Sequence, residues 1–237
     1  MGKRLVLVGG GHAHMVTLAR LHEFVGQGHE VTVIGPSAYH YYSGMGPGML
    51  GGTYAPEDIR FATRLVVEKQ GGRFIEDRVT AIEPEARRVR LCSGNTIPYD
   101  VISFNAGSHV PRPPGTPESA SNIFTVKPIE RLMEARRQLS ARIASGGPLR
   151  VAIVGGGPSS AEIAGNIWQL AQRSGSKNAE ITIFTGAGFM KRTPDTVQRR
   201  IKKVLTERGI RILETGRIAS VSADRVVTQN GKGHNAD

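Results

Sequence analysis

The chain has 237 residues, 30 of them glycine, a single cysteine and a formal charge of +11, a length that buries one large core or two ordinary ones. One cysteine, Cys92, excludes a disulfide within these residues, and no apolar run is long enough to span a bilayer. The positive charge calls for anionic partners. Its carriers are spread over several helical patterns, as at Arg199, Arg200, Lys202 and Lys203, without aromatic interleaving or a zinc, homeodomain or RNP-type pattern, so nucleic acid is not an expected partner. Nucleotide cofactors and acidic lipid headgroups remain. The Met-Gly-Lys-Arg start runs directly into an apolar stretch without a signal peptide, which points to a cytoplasmic protein that touches the inner face of a membrane at most peripherally.

The first element is Arg4-Leu-Val-Leu-Val-Gly-Gly-Gly-His-Ala-His14, an uninterrupted apolar strand that ends in glycines and opens into a helical pattern. Nearly the same statement recurs at Arg150-Val-Ala-Ile-Val-Gly-Gly-Gly-Pro-Ser-Ser160. Gly9 and Gly155 are read as the tight turns. Gly11 and Gly157 bring no side chain between a pyrophosphate and the unpaired amides of the helix start. The third glycine position holds His14 in the first copy and Ser160 in the second, and the residues opening each helix are His12 and Ala13, and Pro158 and Ser159. His12 and His14 also read as a metal pair, but no acid or cysteine nearby completes a ligand set, so no metal is expected and helix-start residues are the plainer reading.

A helix follows, with Val16, Leu18, Leu21, Phe24 and Val25 at helical spacing and Gly26-Gln-Gly28 as its end. A second strand covers Glu30 to Ile34. A carboxylate about 20 residues beyond the glycines commonly holds the ribose of a dinucleotide, whereas this chain has Gly35-Pro36-Ser37, leaving Ser37 as the ribose candidate. The stretch from Ala38 to Tyr54, rich in glycine and methionine, is too irregular for a core element and too apolar for a linker; it either lines a flat aromatic ligand or serves as a crossover loop. Pro56 and Glu57 begin a helix reaching about Lys69. Strands at Phe74-Ile75, Val79 to Ile82 and Arg87 to Leu91 form a three-stranded region, with Ser93-Gly94-Asn95 as a reversal before Ile97. Cys92 is read as a packing residue. Tyr99 to Phe104 is a buried strand opening into Asn105-Ala106-Gly107-Ser108, and Pro111 to Pro117 is a linker.

This order of glycine fingerprint, meander, Tyr-Asp with an apolar strand and Asn-Ala-Gly-Ser, proline linker and second fingerprint resembles the two-dinucleotide-domain flavoproteins, the pyridine nucleotide-disulfide oxidoreductase superfamily. Its members include type II NADH dehydrogenases and sulfide:quinone oxidoreductases, and Gly-Gly-Gly-His-Ala-His and Tyr-Ser-Gly-Met-Gly-Pro-Gly most resemble the NADH-dehydrogenase-like proteins related to the flavoprotein part of selenide-water-dikinase fusions. The resemblance implies an α/β fold of two Rossmann-like dinucleotide-binding domains with β-meanders. An FAD domain segment spans 1–117 and an NAD(P) domain 118–237. A second FAD segment and a C-terminal domain known in the family are not among these residues, as in a truncated chain. It implies FAD and NAD(P)H as cofactors, with Ser43, Gly44, Met45, Val79 and Asn105 to Ser108 joining the FAD candidates.

In the second half, a helix from Ile129 to Ser145 presents Leu132, Leu139 and Ile143 on one face. At Glu162 the family carries a glutamate close to the nicotinamide; the residue also reads as a first-turn acid facing the helix dipole. A strand from Glu180 to Phe184 ends in Thr185-Gly186, where NADH-preferring relatives carry an acid, and Lys191 and Arg192 follow. NADPH and NADH both stay open. A helix from Pro194 to Gly209, a strand from Ile210 to Glu214 and a meander from Arg217 to Thr228 with a turn at Asn230-Gly231 complete the chain. The resemblance implies hydride transfer from NAD(P)H to flavin and on to a small-molecule acceptor. Quinone is the family analogy, since paired redox cysteines are missing, and a homodimer is among the family's assemblies. The alternatives are a nucleotide-binding or redox-sensing module without turnover, and a basic surface-binding protein with vestigial fingerprints.

Overall fold

The computed structural model describes residues 2–113, 115–117, 119–176 and 178–237. Met1, Pro114 of the predicted linker and Glu118 at the predicted domain boundary lie outside the described residues. In order, the elements are β1 (Arg4–Val8), α1 (His12–Ala19), α2 (Leu21–Gly26), β2 (Glu30–Gly35), β3 (His40–Tyr41), α3 (Gly46–Leu50), β4 (Arg60–Phe61), α4 (Thr63–Lys69), β5 (Arg73–Glu76), β6 (Val79–Glu83), β7 (Arg88–Leu91), β8 (Thr96–Pro98) and β9 (Val101–Phe104). They continue with α5 (Glu130–Ala144), β10 (Leu149–Val154), α6 (Pro158–Arg173), β11 (Ala179–Thr185), α7 (Asp195–Glu207), β12 (Arg211–Glu214), β13 (Ile218–Val221), β14 (Arg225–Thr228) and β15 (Gly233–Asn235). The chain divides into two compact units, Met1–Tyr42 with Arg60–Ser108, and Ser43–Ile59 with His109–Asp237.

The first unit is organised on a parallel sheet ordered β5-β2-β1-β9. Its strand β1 is apolar from Leu5 to Val8 because that part is covered on both faces, as parallel strands with crossovers usually are. Leu7 joins Leu18, Leu21, Val31, Val33 and Val67 beneath the helices. Val6 and Val8 point the other way, into Ile34, Val89, Leu91 and Tyr99, under the antiparallel meander β6-β7-β8. In the second unit the parallel sheet is β10-β11-β12, paired in register from Leu149↔Ala179 to Val154↔Phe184, and a meander β13-β14-β15 packs Val221 and Val226 against Phe184. Among the described residues β10 is an edge strand where its counterpart β1 is flanked on both sides.

Several expectations are corrected. The helix after the first glycine turn breaks at Arg20 (φ −119°, ψ 21°) into α1 and α2. Its core stripe runs through His14, Leu18 and Leu21 at i, i+4 and i+7, which leaves Val16 facing out at 69% exposure. The helix expected from Pro56 to Lys69 is a 3₁₀ turn at Pro56–Ile59 followed by β4, which pairs with β3 through His40↔Phe61 and Tyr41↔Arg60, so the α-helix starts only at Thr63. Phe74 and Ile75 leave the expected three-stranded region and add β5 to the parallel sheet opposite Val33 and Ile34. Cys92, read as a packing residue, is exposed. A third meander strand, β15, follows the Asn230-Gly231 turn.

The largest correction concerns the stretch from Ala38 to Tyr54. Met49, Leu50 and Ile59 are completely buried, so Ser43–Ile59 contributes to the core, and it belongs to the second unit. A β-carbon on Gly46 would stand 2.9 Å from Ile129 Cδ1, and one on Gly51 would overlap Asn166. Those two glycines let α3 lie directly on α5 and α6.

The sequence repeat extends further than its glycines. Arg4 holds Asp100, the residue before β9, by its amide (2.8 Å) and its guanidinium (3.1 and 2.8 Å). Arg150 holds Asp237 in the same three ways at 2.8, 3.0 and 2.9 Å. Both carboxyls are held below the usual carboxylate range by these bonds, Asp237 at about 2 against an ordinary 3.8. A depressed carboxyl pKa stabilises the fold fully above the unfolded value and loses that contribution as pH falls through the folded one. Asp237→Asn is therefore expected to lower the unfolding temperature at neutral pH. That gap should close between pH 3.8 and about 2 in thermal melts followed by circular dichroism.

Candidate functional site

Each glycine of the first turn answers to a different neighbour. Gly9 has φ +90°, and its missing β-carbon leaves room for the Asn105 carbonyl; its amide bonds Ile34 O at 2.7 Å. Gly10 faces Thr63 Cγ2, 2.9 Å from where a β-carbon would stand. Gly11 faces the Asn105 side chain, whose atoms lie 2.8 to 2.9 Å from that position. The sequence reading gave Gly11 to the pyrophosphate alone; the structure shows that it also admits an amide side chain. Asn105 Nδ2 is buried without a hydrogen-bond partner. Gly11 caps α1 in extended conformation (φ −71°, ψ −177°), and no side chain bonds the helix start.

His14 replaces the third glycine by turning inward. Its ring is 4% exposed, with Nδ1 2.6 Å from Gly9 O and Nε2 2.9 Å from Ser103 Oγ. Both nitrogens are engaged inside the fold, so His14, a candidate for the cofactor, serves as the brace that ties turn to β9. Ser103 was missed because a serine in an apolar strand carries no signal until its partner is known. His12 and Ala13 are exposed at the start of α1, and the His12 ring lies 4.5 Å from that of Tyr42. Ser37 stands just beyond β2, its hydroxyl accepting the Tyr39 amide at 3.2 Å. Val79 opens β6 against Leu91. Ala106, Gly107 (φ +75°) and Ser108 are exposed and end the first unit. Ser43, Gly44 and Met45 form a 3₁₀ turn that is part of the second unit. Among the described residues no group of three metal-ligating side chains comes together, and no helix is long and apolar enough to cross a membrane.

The second turn repeats the plan with different fillers. Gly155 has φ +140°, and its amide bonds Phe184 O at 2.9 Å. A β-carbon on Gly156 would overlap Thr185 Oγ1 and lie 2.7 Å from Gly188 O, whereas Gly157 has nothing within 4 Å of that position. Gly157 caps α6 in extended conformation with no side-chain bond, Pro158 takes the first turn, Ser159 is exposed, and Ser160 Oγ donates to Gly157 O at 2.6 Å. Thr185 is 1% exposed and its Oγ1 has no partner. Glu162 is exposed in the second turn of α6; the first turn holds no acid, which corrects the dipole reading. The loop after β11 folds back on the glycines, with the Met190 amide bonding Gly156 O at 2.6 Å and Met190 itself in a left-handed conformation (φ +53°) while 4% exposed. Lys191 and Arg192 stand exposed on this pinned loop.

Two helix starts without a side-chain cap, each following a glycine turn at the end of a parallel strand, make a paired dinucleotide-binding plan, and residues 3–237 match the pyridine nucleotide-disulphide oxidoreductase family. The chain belongs to that family. It is 26% identical over 225 residues to an NADH dehydrogenase-like protein of Bacillus subtilis, covering 92% of this chain and 59% of that one. It is 23% identical over 245 residues to a sulfide-quinone reductase of Aquifex aeolicus, covering 99% and 56%. The chain thus spans little more than half the length of these relatives. The structure of NDH2 from Plasmodium falciparum in complex with NADH has the same fold, with a TM-score of 0.80 at 15% identity, covering 100% of this chain and 54% of that one.

The glycines separate fold from binding. Gly9→Ala and Gly156→Ala force a β-carbon into backbone and are expected to destabilise by about 1–3 kcal/mol. Gly157→Ala meets open space at an allowed φ, so stability should hold within roughly 0.5 kcal/mol while affinity for ADP-ribose falls. Chemical unfolding and titration calorimetry on the three variants check this.

Proposed function

We propose that the protein is an FAD-dependent NAD(P)H oxidoreductase, with FAD at the first glycine turn and NAD(P)H at the second. One observation carries the reading. At both turns an uncapped helix start sits with a buried polar group that no protein atom satisfies, Asn105 Nδ2 in the first unit and Thr185 Oγ1 in the second. Buried polar groups are almost always paired, and an unpaired one at a helix start suits an anionic ligand with further hydrogen-bonding capacity. Bound FAD would supply the hydride acceptor and NAD(P)H the hydride.

This chain's residues supply binding and orientation. The first turns of α1 and α6 offer amides and the positive end of the helix dipole to the diphosphates. Ser37 takes the ribose side of the first site, and Glu162 is the candidate to orient the nicotinamide. At the end of β11, Thr185-Gly186 presents no carboxylate, and the pinned loop carries Lys191 and Arg192; that combination supports NADPH. For the acceptor, the sulfide-quinone reductase relative and the single cysteine support a quinone over a disulfide.

The purified protein loaded with FAD is expected to be yellow and to bleach under anaerobic conditions when NADPH or NADH is added. Tight nucleotide binding with no bleaching would identify a non-catalytic nucleotide sensor instead. Lys191→Ala with Arg192→Ala is expected to raise KM for NADPH about tenfold, the loss of roughly 1.4 kcal/mol, with KM for NADH unchanged. Initial rates with a soluble quinone measure both constants.

A further inference from the structure

The segment Ser43–Ile59 departs from the first unit just after Tyr42 and returns to it at Arg60. Within the second unit it is held by more than its buried side chains. Arg136 of α5 donates from one guanidinium nitrogen to Met49 O at 3.0 Å and Tyr54 O at 3.1 Å. From α6, Arg173 donates to Gly52 O and Gln169 donates to Thr53 Oγ1 at 2.9 Å, while Asn166 fills the space beside Gly51. The contacts fall on three successive turns of α6, at positions 166, 169 and 173, so one stripe of that helix grips the segment. The same helix begins at Gly157, the open glycine of the second turn.

We propose that α6 is a rigid lever: its N-terminus receives the nucleotide diphosphate and its later turns position Ser43–Ile59, with Arg136 and Arg173 as positioning residues. Arg136 and Arg173 bond backbone carbonyls of a glycine-rich stretch, so the conformation of residues 49–54 is set by α5 and α6 together with the burial of Met49 and Leu50. Ser43, Gly44 and Met45 lead into α3 and belong to the same unit as α6. They continue from Tyr42, whose ring lies against His12 at the first helix start. Nucleotide binding at α6 thus bears on the residues that the family resemblance assigned to flavin, through packed helix and covalent chain alone.

This rests on the second turn binding a nucleotide, and the experiment separates the two. Amide hydrogen exchange is followed over residues 46–54 in the full chain, with and without saturating ADP-ribose, whose binding is measured independently by calorimetry. Native protein is expected to show several-fold slower exchange in this segment when ADP-ribose is bound. Arg136→Ala and Arg173→Ala should speed exchange there, keep the ADP-ribose affinity within about twofold, and abolish the ligand-dependent slowing; Arg173→Lys should restore part of it. ADP-ribose that binds without slowing 46–54 overturns the lever and leaves the proposed function standing. Failure to bind ADP-ribose at all overturns both. Variants that speed exchange equally in every segment show general loosening, and overturn the specific role of the two arginines.

Discussion

The amides in the first turn of an α-helix have no carbonyl partners within the helix, and a protein must cap them, hydrate them or give them to a ligand. Both units of this protein leave them uncapped by any side chain just beyond a parallel strand whose last four residues are apolar. Most of the rest serves that arrangement. Val6 to Val8 of β1 are buried, the glycines bring backbone against backbone, and in each unit a meander packs on the parallel sheet. The arginine-aspartate braces secure β1 and β10 at the ends away from the glycine turns.

The two copies solve one packing problem with different chemistry. Where a small residue lets helix and strand approach in the second copy, the first inserts a histidine and makes the misfit useful by bonding its ring to Gly9 O and Ser103 Oγ. Under Gly10 and Gly11 lie Thr63 and the Asn105 amide; under Gly156 lie Thr185 and the folded-back loop. In each copy a buried polar atom against the glycine turn ends without a partner, Asn105 Nδ2 beside Gly11 and Thr185 Oγ1 beside Gly156. Unpaired groups of this kind normally cost about 1–3 kcal/mol, a cost a bound nucleotide would offset. Family membership and these two orphans together make the paired-nucleotide reading more specific than the fold alone, which supports many chemistries.

How much was legible follows from how local each signal is. The doubled strand, glycine turn and helix start can be read because each is specified by a contiguous run of about ten residues. The amphipathic spacing of α5 and α7 likewise places them to within two residues. Gly9, Gly11, Gly155 and Gly157 follow from the same run. What the sequence misassigned depends on residues distant in the chain. The helix expected from Pro56 gave way to pairing with His40 and Tyr41, and Phe74-Ile75 found a parallel partner in β2 where a place in a three-stranded region with the strands that follow was expected. His14 is a brace only because Ser103, 89 residues on, stands beneath it.

By itself the sequence determined the family, the repeated nucleotide-binding plan and the glycines at its turns, because backbone conformation and strand burial leave their mark residue by residue. Only the tertiary structure decided which unit owns Ser43–Ile59, since its allegiance is set by Arg136, Gln169 and Arg173 reaching back over 80 to 121 residues to carbonyls and a hydroxyl. It also decided which glycine faces protein and which faces open space, a distinction that exists only once the neighbouring strand and loop are folded against the turn.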